Sequence, residues 1–335
     1  MATIQTEYKS ISETGQGWFY VGKLVGMAFL VTLGVAGLKF GAEHLLTPRN
    51  AGLGGLLSQN RSDLLLIGSS HTRQSYDMRV LEKASGVTNS YLCAYSGMNL
   101  DNIALILDYL AQHPERLPRN IIVEAYSSRL ARSPDVQDPR LYFDAPPPLK
   151  SAIVSSYLST RHSPTALLDI FDLGVNRGND QILFYPIYSW AERSASYKGG
   201  RTDIVNQGVS AEEFKTFQAD TGSADPDPAQ LAAYHHIVRL AHQYHIGLIL
   251  IESPMPQPVS HNPRIQHLKS VFRALVAADH YLYIDGDLGF PIENPAMFSD
   301  DNHLSTEGRI LFTTRIGEAL KTVPGLQCPY NCPPL

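Results

Sequence analysis

The sequence predicts an α/β fold, a mainly parallel sheet flanked by helices, carried behind one membrane-spanning helix. Short apolar runs that stop at glycine, serine or acidic residues recur along the chain, and helical patterns lie between several of them. An uninterrupted apolar stretch stands near the N-terminus. With 335 residues, 44% of them hydrophobic and 18% charged, the chain can bury one large core or two modest ones, and its composition gives no sign of disorder. The net charge is −5 and the Lys and Arg residues are scattered, which excludes the electrostatic footprint of a nucleic-acid binder.

After a tail over residues 1–17, the stretch 18–38 reads WFYVGKLVGMAFLVTLGVAGL, with Lys23 as its one charge. At 1.5 Å per residue that length suits a helix crossing the hydrocarbon core. Lys23 lies near one end, where its stem can snorkel to the interface, and Trp18, Phe19 and Tyr20 suit the headgroup belt. Apolarity on every face argues against an amphipathic surface helix, and the length of the run with no small-x-small site close behind it favours an uncleaved anchor over a signal peptide. Lys9 and Lys23 before the apolar centre are balanced by Lys39 and Arg49 after it, so orientation must follow from the domain behind.

A linker over 39–62, with Pro48, Gly52, Gly54 and Gly55, leads to a strand at 63–67 (DLLLI) that ends at Gly68. Further strands are expected at 88–94, 120–125 (NIIVEA), 247–252 (GLILIE) and 281–285 (YLYID), with helices at 99–112, 229–244 and 305–320. Together they make one α/β domain over 63–325, followed by a tail over 326–335. From about 128 to 228 the pattern weakens around Pro146, Pro147 and Pro148 and the aromatic residues Tyr185, Tyr188, Trp190 and Tyr197, which reads as an insertion capping the strand ends. Trp190 and its tyrosines could stack on sugar rings or form the insertion's own core. Cys93 reads as a buried thiol, whereas Cys328 and Cys332 in CPYNC either close a small loop in an oxidising compartment or stand unpaired on the tail.

In a parallel sheet, ligands collect beyond the carboxyl ends of the strands. Those positions hold Gly68-Ser69-Ser70-His71, Tyr95-Ser96-Gly97, Tyr126-Ser127-Ser128 and Ser253-Pro254, a set rich in hydroxyls and glycine. A serine hydroxyl needs an imidazole to take its proton and a carboxylate to orient that imidazole. LLLIGSSHTRQS supplies Ser70 behind a buried strand, and FSDDNHLSTEGR supplies Asp300 three residues before His303, ahead of a helix that Ser305 or Thr306 could cap. Asp301 is the rival orienter; spacing favours Asp300 and leaves Asp301 facing solvent. His71 and Arg73 flank the serine, either to contact an anionic or sugar ligand or in a surface role. Glu252 is either a second carboxylate near the site or a salt-bridge partner. His235, His236, His242 and His245 lack a carboxylate at ligand spacing and read as surface or packed residues, so no metal is expected.

Gly68-x-Ser70 after the first strand and Asp300-x-x-His303-Leu304-Ser305-x-x-Gly308 before the last helix resemble the first and last blocks of SGNH (GDSL-like) hydrolases, over roughly residues 63–320. The resemblance implies a flavodoxin-like α/β/α sandwich with Ser70 as nucleophile, His303 as general base and Asp300 as its orienting partner, and no cofactor. Tyr95-Ser96-Gly97 looks like the family's oxyanion-hole block, so the N–H groups of Ser70 and Gly97 would stabilise the oxyanion. Two departures stand out: Gly-Asp-Ser-Leu is replaced by Gly68-Ser69-Ser70-His71, and the Gly-x-Asn-Asp block by Glu124-Ala125-Tyr126-Ser127-Ser128. Tyr126 or Ser127 could replace the lost asparagine donor, against a structural role for both. The variant start with one N-terminal anchor looks most like the subset working with membrane-bound O-acyltransferases on cell-envelope polymers. That likeness implies an esterase or O-acyltransferase outside the cytoplasmic membrane, acting on O-acyl groups, acetyl above all, of an extracellular or envelope polysaccharide. The alternatives are a non-catalytic component of a polysaccharide modification or export complex, and a soluble cytoplasmic esterase, which would need residues 18–38 to be a core helix.

Overall fold

A computed structural model of the chain describes residues 18–35, 37–38, 41, 51–59, 61–133, 138–160 and 196–323. Tyr185, Tyr188, Trp190, Cys328 and Cys332 lie outside those residues, as do both expected tails and half of the linker.

Five strands form one sheet in the order β2-β1-β3-β6-β7: β1 Leu64–Gly68, β2 Ser90–Ala94, β3 Asn120–Glu124, β6 Gly247–Glu252 and β7 Leu282–Asp285. Every neighbouring pair is parallel. The strands alternate with helices, so each must cross over to begin again at the same end, and the five expected strands all form to within two residues. The chain winds one way from β1 to β2 and the other way from β3 onward, which opens a crevice at the carboxyl ends of β1 and β3.

Period-two alternation divides the strand side chains between two cores. Leu65, Ile67, Ile121, Val123, Leu248 and Leu250 pack against Ile103 and Leu107 of helix Leu100–Ala111, Ile237 and Ala241 of helix Pro228–Gln243, and Phe272 of helix Pro263–Ala278. Leu64, Leu66, Ile122, Ile249 and Ile251 pack against Leu81 of helix Met78–Ser85 and Phe312 and Ile316 of helix Thr306–Lys321. The result is a sheet with helices on both faces. Asn99 and Ser305, at the expected starts of two helices, cap them: Asn99 forms a capping box with Asn102, and the Ser305 hydroxyl accepts the Gly308 N–H.

Two stretches depart from expectation. Residues within the glycine-rich linker form a helix, Gly52–Ser58, because Leu53 and Leu56 are buried against β2 and outweigh the low helix propensity of Gly52, Gly54 and Gly55. The Tyr91 hydroxyl donates to the Gly52 carbonyl at 2.9 Å, and the Leu53 N–H donates to the Tyr95 hydroxyl at 2.7 Å. Within the expected insertion, the proline run opens helix Pro147–Thr160, where missing N–H groups cost nothing. A two-stranded ribbon, β4 Ser196–Tyr197 and β5 Gly200–Arg201, lies against the outer side of β2, whose Leu92 N–H donates to the Lys198 carbonyl at 2.9 Å. The ribbon thereby covers an edge that would otherwise be exposed.

Residues Trp18–Val35 form one helix with mean hydropathy 1.6, none of it buried inside the protein. It is long and apolar enough to span a membrane, and its full exposure is not that of a core helix.

The final helix approaches the rest of the fold closely at Gly308, where an added Cβ would collide with the Met297 carbonyl. Gly308→Ala is therefore expected to destabilise the chain by roughly 1–3 kcal/mol, read as a lower urea midpoint; an unchanged midpoint would contradict the close approach.

Candidate active site

The turn after β1 is built around a buried carboxylate. Pairing of β1 with β3 sets Ile67 against Val123, which brings Glu124 beside Gly68 and the residues that follow it. Glu124 is buried, and an ionised carboxyl there must be met by donors. It accepts the Ser69 N–H, the Ser69 hydroxyl at 3.0 Å and the Thr72 hydroxyl at 3.0 Å. Burial pushes the Glu124 carboxyl up, and those three bonds oppose the shift. Gly68 is required here, since a Cβ would overlap Thr72 Oγ1 and the Glu124 side chain. The Ser69 hydroxyl also caps helix Ser70–Ser75 through the His71 N–H, so Ser70 stands at the first helical position, half-buried at the crevice.

The opposite half comes from a closed loop. Phe298 and Leu304 form an antiparallel bridge, the Ser299 N–H donates to the His303 carbonyl at 2.9 Å, and the Ser305 N–H donates to the Met297 carbonyl at 2.9 Å. Inside this loop Asp300 Oδ1 accepts the N–H groups of Asn302 and His303, both at 2.8 Å, so the carboxylate turns back on its own loop. His303 Nδ1 then lies 2.9 Å from Asp300 Oδ2, and His303 Nε2 lies 3.0 Å from Ser70 Oγ. With a carboxylate at Nδ1 the ring proton belongs there, which leaves the Nε2 lone pair to accept the serine proton. Burial works against the Asp300 charge, but the His303 ring and the two backbone N–H groups outweigh it and hold the carboxyl below its usual value. Asp301 does not reach the imidazole. Burial and the neighbouring Asp300 charge push its carboxyl up, and it accepts from the Asn302 side chain; it is half-buried where a solvent-facing side chain was expected.

His71 differs more. A surface or ligand-contacting role was expected, but the side chain is 3% exposed, stacked on Tyr126 with ring centroids 3.9 Å apart and standing 5.2 Å from the His303 ring. Its Nδ1 is buried without a hydrogen-bond partner among the described residues. Arg73 is half-buried and donates to the Ser96 hydroxyl at 3.0 Å, which directs it to the neighbouring turn. Gly97 sits in that turn with φ +69°, a conformation that suits glycine, and the Met98 N–H donates to the Tyr95 carbonyl at 3.1 Å. Among the described residues, no protein acceptor takes the Ser70 or Gly97 N–H. Tyr126 and Ser127 are both engaged elsewhere: the Tyr126 hydroxyl donates to Asn302 Oδ1 at 3.0 Å, and the Ser127 hydroxyl donates to Glu252 at 2.6 Å. Burial pushes Tyr126 up to about 12, so it stays a phenol donor. Glu252 is fully buried, accepts from the Tyr283 hydroxyl at 2.7 Å and faces Lys269 at 3.9 Å, the salt-bridge alternative.

The sequence reading missed Glu124 as a structural centre of the site. Its signal was an acidic residue at the end of an otherwise apolar buried strand, which demands donors close by. His235, His242 and His245 are exposed, and His236 pairs with Asp108 at 2.7 Å. Among the described residues no group of three or more His, Cys, Asp or Glu side chains is arranged to hold a metal ion. A cavity of about 820 Å³ lies at the amino ends of β6 and β7, lined by His242, His245, Asp279 and Tyr281, the end of the sheet away from Ser70.

No family model and no curated protein matches the chain. Among solved structures, LAE5, an α/β hydrolase enzyme from the metagenome of Lake Arreo in Spain, is similar over 78% of this chain and 97% of its own, at 11% identity and a TM-score of 0.35. A likeness of that size carries no argument about activity, so function must be argued from the geometry.

Burial, then the fields of His303 and Arg129, hold His71 neutral well below its ordinary value of 6.5. The unfolded chain binds that proton near 6.5 and the folded chain does not, so stability falls as pH drops below 6.5. His71→Phe keeps the stack on Tyr126 and removes the titration. Its unfolding free energy from urea titration should therefore fall less between pH 7 and pH 5 than that of the wild type, by up to about 1.4 kcal/mol per pH unit; parallel curves would contradict a neutral buried His71.

Proposed function

We propose that this chain is a membrane-anchored serine acyl-transfer enzyme of the SGNH type that adds or removes O-acyl groups, acetyl in the first place, on an extracellular or cell-envelope polysaccharide. The observation that carries the reading is the continuous chain Asp300–His303–Ser70, with 2.9 Å and 3.0 Å contacts, at the carboxyl ends of a parallel sheet. Counting only the strands of that sheet, the order is 2-1-3-4-5, that of flavodoxin-like folds, and the serine follows the first strand while Asp-x-x-His precedes the last helix, which supports the SGNH assignment.

In this mechanism His303 Nε2 takes the Ser70 proton as Oγ attacks the acyl carbonyl carbon, forming the C–O bond of a tetrahedral adduct. The Ser70 and Gly97 N–H groups donate to its oxyanion. Collapse breaks the bond to the leaving alkoxide, which takes the proton from His303, and Ser70 is left acylated. An incoming hydroxyl, from water in an esterase or from a sugar in a transferase, then gives its proton to His303 as its oxygen bonds to the acyl carbon; the bond to Ser70 Oγ breaks, and Ser70 recovers its proton from His303. Asp300 stays ionised throughout and stabilises the imidazolium. The residues need no cofactor for these steps.

The apolar helix Trp18–Val35 supports attachment to the cytoplasmic membrane, with the α/β domain on its outer side, where envelope polymers are modified. A membrane-bound O-acyltransferase or a polysaccharide synthesis or export protein is the partner this placement implies. A second reading, a non-catalytic SGNH-fold component of such a complex, draws on one observation: Tyr126 and Ser127, the candidates for the lost asparagine donor, are both committed to other acceptors.

A serine-directed fluorophosphonate distinguishes the two. The enzyme should acquire one adduct, mapped to Ser70 by peptide mass, and Ser70→Ala and His303→Ala should each lower turnover of an aryl acetate by at least about a thousand-fold. Unchanged turnover in Ser70→Ala, with no wild-type adduct, would sink the enzyme reading and favour the binding one.

A further inference from the structure

The turn that carries Gly97 is held from both sides by side chains that the acyl-transfer chemistry does not itself use. On one side Asp138 Oδ2 accepts the Ser96 N–H at 2.9 Å. Asp138 is 5% exposed, and Arg140 grips it through Nε at 2.9 Å and 3.0 Å and Nη2 at 2.6 Å. Burial opposes the Asp138 charge, and the Arg140 fork outweighs it, so the acceptor stays a carboxylate. On the other side Arg73 donates to the Ser96 hydroxyl at 3.0 Å. Arg73 belongs to helix Ser70–Ser75, the helix that begins with the proposed nucleophile. A third attachment fixes the residue before the turn: the Tyr95 hydroxyl donates to Asp144 at 2.7 Å and accepts the Leu53 N–H at 2.7 Å. Asp138 and Asp144 lie 42 and 49 residues from their partners, so these are tertiary bonds, formed only when the fold is complete.

An oxyanion donor acts through its aim, because its worth depends on pointing at the position where charge develops. Gly97 has φ +69° and no side chain to anchor it, so the direction of its N–H depends on how Ser96 is held. We propose that Asp138 and Arg73 are positioning residues that clamp Ser96 and thereby set the direction of the Gly97 N–H relative to Ser70. The clamp ties the nucleophile's own helix to the oxyanion turn through Arg73, and through Asp138 it makes the site depend on residues 138–144 of the insertion. It rests on the reading of Ser70 as nucleophile and Gly97 as oxyanion donor.

Two measurements on the full-length chain in detergent test it, hydrogen–deuterium exchange of the peptide covering residues 95–99 and the second-order rate constant for fluorophosphonate labelling. Asp138→Ala and Arg73→Ala should each speed exchange at Ser96 and Gly97 while peptides from β1 and β3 keep their wild-type protection. Each should slow labelling about ten- to a hundred-fold. Asp138→Asn retains an oxygen that can accept the Ser96 N–H and should recover labelling to within about three-fold. Such a rescue would not follow if Asp138 served only through its ion pair with Arg140. Unchanged exchange in both alanine variants overturns the clamp, and faster exchange with wild-type labelling overturns its link to the oxyanion. Loss of labelling with loss of protection in β1 and β3, unrescued by Asp138→Asn, overturns the positioning role in favour of a merely structural one. A wild-type chain that is never labelled, though folded, overturns the nucleophile reading and the catalytic part of this proposal together, while exchange still decides the clamp.

Discussion

The site depends on a buried carboxylate placed at the end of a strand. Glu124 brings a polar carboxyl group into an apolar sheet, a cost that only hydrogen-bond partners can offset, and those nearest to it are the Ser69 N–H, the Ser69 hydroxyl and the Thr72 hydroxyl. Satisfying Glu124 therefore shapes the turn after β1 and sets Ser70 at the start of its helix. The same device recurs one strand over: Glu252, at the end of β6, accepts the Ser127 N–H at 3.1 Å and the Ser127 hydroxyl at 2.6 Å in the turn after β3. In both cases the carboxylate of one strand orders the serine turn of its parallel neighbour. The serine turns after β1 and β3 are fixed this way, and the Ser96 turn after β2 is held by Asp138.

Parallel topology makes that arrangement useful. Ser70 and His303 are 233 residues apart, and they meet because one follows the first strand and the other precedes the last helix. Their two supports are of different kinds. The serine turn is held by tertiary bonds to Glu124, whereas the histidine loop is largely held by its own bonds, with Asp300 Oδ1 accepting the backbone N–H groups of Asn302 and His303. The Tyr126 hydroxyl joins the halves by reaching Asn302, with His71 stacked behind it. Asp300 is half-exposed and Ser70 half-buried, so both open onto the crevice.

What was legible in the sequence was local or periodic. Buried parallel strands advertise themselves as apolar runs, so the five sheet strands could be read, and the Asp300-x-x-His303 spacing together with the Ser305 cap is a property of one short loop. What was not legible required the register between distant segments. Glu124 looks like an ordinary strand end until Ile67 is set against Val123, and only then does it lie beside Gly68. For His71 the sequence allows a ligand contact or a surface role; Tyr126, from the turn after β3, stacks on the ring and buries it. The Gly52–Ser58 helix was hidden by glycine, since its stability comes from Leu53 and Leu56 packing on β2 rather than from propensity. Asp138 lies in a segment without periodicity, and nothing near it in sequence points to Ser96.

A crystal structure of the chain after reaction with a fluorophosphonate addresses the whole arrangement at once. It should show phosphorus bonded to Ser70 Oγ, the phosphoryl oxygen within hydrogen-bond reach of the Ser70 and Gly97 N–H groups, and His303 still paired with Asp300. An adduct on any other side chain, or a phosphoryl oxygen turned away from Gly97 into solvent, would contradict the site described above.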